Sequence, residues 1–346
     1  MTQSKSSRIL YLDLLKILSI FFVILIHVTA ENWYDDIRGV YWLVNNGYNA
    51  LARWGVPVFC MVSGALLLSR DIPIRKIYGH YFPRAALLLL FWGMVYSLLS
   101  GDRTLSGLWS SFCGLLRGNA FTHLWYLYMI MGLYVITPLL RAMIRGAEQK
   151  TLTYFLVCAF LFEVIFPKLL ALPWLDPYSG WINKMDIHLF GGYVFYYVAG
   201  YYFHQFTLPK KLRLALYAVG SSLLVGAMVI SEVKSWQLNY QYVNYGVFNL
   251  GTAVFSLALF MFCRSLSPKL ENAPRLRRFV TLVGPLTFGI YLSHFMFEKV
   301  LLYLGLHSNT IHPLLGAPLV SLLIFILSGA ACWALQKVPV LRRLIQ

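Results

Sequence analysis

ILYLDLLKILSIFFVILIHVTA, Ile9 to Ala30, decides how the rest of the chain is read. Its length suits the ~20 residues that a bilayer core requires, yet it carries Asp13, Lys16 and His27. Ionisable residues within a span are costly and mark functional sites. On a helix advancing ~100° and ~1.5 Å per residue, Lys16 and His27 fall on nearly one face, about 16 Å apart along the axis. One polar group therefore stands near each membrane surface. Asp13 precedes Lys16 by three positions, a spacing at which opposite charges pair and soften the burial cost. A basic flank and the ending Val28-Thr29-Ala30 also resemble a signal peptide, but Asp13 and Lys16 interrupt the apolar centre. The run reads as a retained span.

Outward from this stretch, the whole composition points to a polytopic membrane protein. Of 346 residues, 59% are hydrophobic and 12% charged, with 23 Tyr and 24 Phe and a mean hydropathy of +0.65; soluble domains carry about twice that share of charge. The net charge of +16 does not imply nucleic acid, because the cations lie in short clusters between apolar runs rather than on a contiguous face. Five cysteines, Cys60, Cys113, Cys158, Cys263 and Cys332, are odd in number and scattered, which suggests neither a disulfide framework nor a thiolate metal site.

The expected fold is all-α, a bundle of about ten transmembrane spans near 9–30, 48–68, 83–100, 123–140, 151–167, 188–204, 213–231, 244–263, 281–304 and 313–336. With the N-terminus inside, the cytoplasmic segments hold Arg75, Lys76, Arg84, Arg141, Arg145, Lys210, Lys211, Arg275, Arg277, Arg278, Lys337 and Arg342, among others. The outer segments hold only Arg38, Arg103, Arg117, Lys168, Lys184 and Lys234. The positive-inside bias makes both termini cytoplasmic. No repeat or long linker divides the chain, so one integral-membrane domain over 1–346 is expected. Its chemistry then belongs to the bundle.

Polar residues sort by depth under this topology. His27 and His123 lie at outer ends of spans and His294 midway along the ninth, where it reads as a packing or hydrogen-bonding residue. His307 and His312 show no ligand spacing, and no metal is expected. Ser63-Gly64 lacks the context of a nucleophile turn and reads as small residues for close helix packing. Arg84 follows Pro83 immediately before an apolar run, where a cation is placed to receive phosphate groups of a cytosolic ligand.

Four stretches occur in order: Asp13-Leu-Leu-Lys16 with His27 eleven residues beyond it; RWGVPVFCMVSG from Arg53 to Gly64; HLWYLY from His123 to Tyr128; and FGIYLSH from Phe288 to His294. Together they resemble acyltransferase family 3, the integral-membrane O-acyltransferases. The resemblance runs over the whole chain and implies transfer of acetyl, or another acyl group, from cytosolic acyl-CoA to a hydroxyl of a cell-envelope glycan or lipid-linked sugar at the outer face. It also implies a bacterial cytoplasmic (inner) membrane location. Acetyl-CoA is thus the expected donor, and no metal or nucleic acid takes part. Two departures stand out: Lys16 occupies the place where the family usually has Arg, and Tyr81 stands where many members have a second Arg.

Residue chemistry fits the implied reaction. Esterifying an alcohol with a thioester needs a base, and imidazole is suited by its near-neutral pKa; His27 is the candidate base or transient acyl carrier. Arg53 is placed to stabilise an oxyanion or hold an anionic acceptor, or to snorkel. Glu31, one turn beyond His27, either orients the ring or is a solvated loop residue. Lys16, Arg84 and Asp13 form the expected donor site. His123 and Trp125 are a sugar platform by resemblance and an aromatic belt by composition. The alternative is a transporter or flippase for a lipid-linked glycan that uses the same residues to bind, although no internal symmetry supports it.

Overall fold

The first apolar run forms the helix its pattern dictates: α1, Leu10–Ala30, with Asp13 in the first turn where the helix dipole favours a carboxylate. The computed structural model describes residues 8–31, 36–100, 103–170, 172, 184 and 191–345. Twelve further helices follow: α2 (Val40–Ala52), α3 (Gly55–Leu68), α4 (Phe82–Ser100), α5 (Leu105–Leu116), α6 (Trp125–Arg145), α7 (Gln149–Phe160), α8 (Val194–Gln205), α9 (Lys210–Leu238), α10 (Leu250–Ser265), α11 (Pro274–Val283), α12 (Thr287–Tyr303) and α13 (Pro313–Leu335). Short helical turns connect some of them, and no strand occurs among the described residues.

Helix α1 is the axis of the bundle, packing against α2, α3, α10, α11, α12 and α13. Its flanks Leu12, Leu15, Ile20, Ile24 and Val28 are buried. The outer helices instead expose leucine, isoleucine and valine, such as Leu214, Val225 and Ile230 on α9 and Leu315, Leu319 and Ile326 on α13. Such faces suit lipid acyl chains. The protein is an all-α membrane helix bundle.

Among the described residues, eight helical stretches are long and apolar enough to cross a bilayer, against ten expected over the chain. The second is Val40–Leu68 rather than 48–68, because α2 and α3 form one interrupted stretch. Asn45, Asn46 and Asn49 make its first half look too polar, yet all three are buried and bonded: Asn45 to Asn309 Oδ1 at 2.8 Å, Asn46 to the Tyr245 hydroxyl and Asn49 to the Ile26 carbonyl at 3.0 Å. The sixth is described as the 12-residue α8, its expected start at 188–190 lying outside the described residues. The eighth is α10 with 16 residues, about 24 Å long. Helix α5 lies in what the pattern gave as an outer loop; the Thr104 hydroxyl caps it by accepting from Gly107 N at 3.1 Å.

Three local features shape the interior. Pro57 lacks an N–H and its ring clashes with the carbonyl four residues back, so the helix breaks at Arg53-Trp54 between α2 and α3. Pro138 does the same inside α6, toward the carbonyl of Tyr134. Helices α3 and α8 cross with backbones touching: a Cβ on Gly64 would overlap the carbonyl of Tyr197, and one on Gly200 the carbonyl of Met61. The small residues allow the approach.

Candidate active site

A cavity of about 250 Å³ runs beside α1 from Lys16 to His27. Helix α3 contributes Val56, Phe59 and Ser63, α6 contributes Trp125, Tyr126 and Tyr134, and α12 with its lead-in turn contributes Pro285, Phe288 and Tyr291. The eleven-residue spacing therefore puts both ionisable groups of α1 in one space. His123 and Trp125 line the same cavity.

At the Lys16 end, charges are matched. Lys16 Nζ lies 2.5 Å from Asp13 Oδ1, and Arg8 Nε lies 3.2 Å from Asp13 Oδ2. Gly284 makes room for this carboxylate, since a Cβ there would sit 2.9 Å from the Asp13 Cγ. Arg84 lies outside the cavity, in an adjoining groove of about 810 Å³ with His80, Lys337, Arg342 and Arg343. The Tyr81 ring lies 5.9 Å from that of Tyr134, which lines the cavity. A π-helical turn at Ile77–Tyr81 leads into this corner; such turns cluster at functional sites.

The other end gathers three histidines. The ring of His27 lies 5.3 Å from His294 and 6.2 Å from His123, and His123 lies 5.1 Å from His294. Nδ1 of His294 is 2.7 Å from the Tyr291 carbonyl; a carbonyl only accepts, so Nδ1 carries the proton and Nε2 the lone pair. That Nε2 is buried without a partner, as are both ring nitrogens of His123. Phe295 stacks on His123 at 5.0 Å and Tyr96 meets its edge at 4.8 Å. The Tyr291 hydroxyl donates to the His123 carbonyl at 2.6 Å. Aromatic packing thus holds the His123 ring with both nitrogens unbonded, and His294 is fixed through Nδ1 with Nε2 unbonded. Among the described residues, no group of three or more His, Cys, Asp or Glu is arranged to hold a metal ion.

Arg53 is not part of the lining. Its Nη2 donates to Asn49 Oδ1 at 2.6 Å and its guanidinium lies 5.4 Å from the Tyr245 ring. Asn49 in turn donates to the Ile26 carbonyl and to Thr29 Oγ1 at 3.0 and 3.1 Å. The helix break therefore ties α2 to the turn of α1 that carries His27. Glu31 also stands outside the cavity, beside Glu298 and Lys299 of α12. Helix α12 holds what the pattern of α1 alone does not reveal: His294, Tyr291 and Glu298. The stretch FGIYLSH contains two of these three, and Glu298 follows His294 by one helical turn.

A membrane bundle with an internal cavity that joins a cation-rich end to a histidine-rich end defines the class. The chain matches an acyltransferase domain model, that of acyltransferase family 3, over residues 9–337, and it belongs to that family. Neither a search of curated proteins nor one of solved structures found a match. The protein is a membrane acyltransferase.

Proposed function

We propose that the protein transfers acetyl from cytosolic acetyl-CoA to a hydroxyl of an envelope glycan or lipid-linked sugar at the outer face of the bacterial inner membrane. The observation that carries this reading is the single cavity with Lys16 at one end and His27 at the other. Its length of about 16 Å along the axis suits an extended pantetheine arm reaching toward the histidines. The groove of Arg84, Lys337, Arg342 and Arg343 offers charge-assisted donors suited to the phosphate groups of coenzyme A. Lys16, paired with Asp13, lines the cavity itself.

At the other end, His27 acts as general base. It takes the acceptor's hydroxyl proton as the oxygen bonds to the acyl carbonyl carbon, and coenzyme A leaves as the thiolate when the C–S bond breaks. His123 and Trp125 flank the acceptor; Trp125, 39% exposed, offers a flat face to a sugar ring. Arg53 holds the outer turn of α1 in place through Asn49.

Labelled acetyl-CoA supplied to purified protein with a panel of lipid-linked sugars tests the reading. Transfer is expected in wild type and a loss of about 10²–10⁴-fold in both His27→Ala and His27→Gln at matched melting temperature. Full activity in His27→Gln removes the base assignment. A wild type that moves lipid-linked sugar but never turns over donor replaces the enzyme with a transporter.

A further inference from the structure

Helices α1 and α12 run side by side in the same direction, Asp13 meeting Gly284 at one end and His27 meeting His294 toward the other. Each carries a histidine and, four residues later, a glutamate: His27 and Glu31 on α1, His294 and Glu298 on α12. Four residues is about one turn, so the two helices form a ladder with imidazoles on the lower rung and carboxyls on the upper. The carboxyl groups of Glu31 and Glu298 are hydrogen-bonded to one another. Two ionised carboxylates repel at that range, and a hydrogen bond between them requires one proton.

The surroundings hold that proton in place. Glu298 is 3% exposed, and its Oε2 and the Oε1 of Glu31 are buried without partners. Lys299 faces both carboxyls and Tyr96 faces Glu298. A single cation opposite two acids supports one negative charge. Burial pushes the Glu31 carboxyl up to about 7, against the opposing pull of Lys299 and of the bond to Glu298.

We infer that Glu31 and Glu298 share one proton and form the outlet through which the proton taken at His27 reaches the outer face. This inference rests on the acyl-transfer reading. The balance is as follows: the acceptor hydroxyl loses its proton to His27 as the new C–O bond forms, and the thiolate departs toward the Lys16 end, where it takes a proton from cytosolic water. His27 is then reset only if its own proton leaves. Nε2 of His294, with its free lone pair, accepts it, and the carboxyl pair one turn above passes its shared proton to the outside and takes this one. Both glutamates are positioning residues that act through the two imidazoles.

Infrared difference spectra of the full chain in lipid nanodiscs, taken across pH, test the shared proton. A protonated-carboxyl stretch that persists above the value of about 7 at which Glu31 ionises is expected in wild type and is shifted or lost in both Glu31→Gln and Glu298→Gln. Absence of the band in wild type, or its unshifted survival in both variants, overturns the pair. Acetyl-CoA turnover then tests the outlet. Glu298→Gln is expected to lower kcat by about 10–100-fold, less than loss of the base itself, with KM for acetyl-CoA unchanged and the pH profile flattened. Wild-type kcat and profile in both variants overturn the outlet. A wild type without turnover strikes the acyl-transfer reading and the outlet with it, while the infrared result still decides whether the proton is shared.

Discussion

The two ends of the cavity are finished differently. At the Lys16 end each oxygen of Asp13 faces a cation, Oδ1 that of Lys16 and Oδ2 that of Arg8, although Oδ2 makes no hydrogen bond. At the His27 end Nε2 of His294, both nitrogens of His123 and an oxygen of Glu298 have no partner. A buried polar atom left unpaired costs roughly 1–3 kcal/mol; at the Lys16 end two cations offset that cost for Asp13, and the imidazoles of His123 and His294 have no such ion pair. Matched charges hold a ligand-binding wall in shape, whereas free lone pairs and hydrogens are what proton transfer requires.

The contrast is broken most severely where stability and activity should respond in opposite ways. His123→Phe conserves the ring's stacking and removes two orphaned nitrogens, so stability should change by less than about 1.5 kcal/mol. Acyl transfer should fall by tenfold or more. A melting temperature that drops along with activity would make His123 a structural residue.

At the opposite end Asp13→Ala should cost about 1–3 kcal/mol. This is less than the ~3–5 kcal/mol of a wholly buried pair, because the Arg8 and Lys16 side chains keep 44% and 22% of their exposure. Denaturant titration measures it, and an unchanged midpoint would show that the two cations are as well satisfied by water. Arg84→Ala should leave stability intact and weaken acetyl-CoA binding by about 1.5–3 kcal/mol. Unchanged thermal stabilisation by acetyl-CoA would remove Arg84 from the donor site. Lys16→Arg should retain or improve donor affinity, since the planar fork adds contacts without changing charge; a loss of affinity would mean that Asp13 requires a compact ammonium.

The smallest effect lies outside the cavity. Hydrogen bonds from Arg145 and Arg141 hold the exposed Asp71 carboxyl below its ordinary range. A depressed carboxylate stabilises the fold above its unfolded pKa, and this contribution is lost as pH falls through the folded value. Asp71→Asn should therefore lower stability slightly at neutral pH and show less further loss on acidification than wild type. Identical acid profiles in the two forms would show that the pairs contribute nothing measurable.

The part of the site carried by one helix was legible in the sequence: periodicity alone places Lys16 and His27 in one space, and the stretch HLWYLY supplies His123 and Trp125. The approach of His294 to His27 was not, because it depends on how α12 packs against α1, which no local pattern encodes. Hydropathy also misplaced the second span. Buried Asn45, Asn46 and Asn49 bond to Asn309, Tyr245 and the Ile26 carbonyl of other segments, so their polarity does not report exposure. Arg53 looked like a residue of the site because of its motif. Its side chain bonds to Asn49 of the preceding turn, a preference set by the helix break.

The contact of α3 and α8 through Gly64 and Gly200 has a mechanical consequence. With carbonyls of each helix seated against the other, the α3 wall of the cavity is a clamped plate that resists both sliding and tilting. Across the space, α6 carries Pro138, which leaves the Tyr134 carbonyl without its helical donor, and a helix bends most easily at such a point. Tyr134 lines the cavity at that point. The two walls of the cavity thus differ in how firmly their backbones are held.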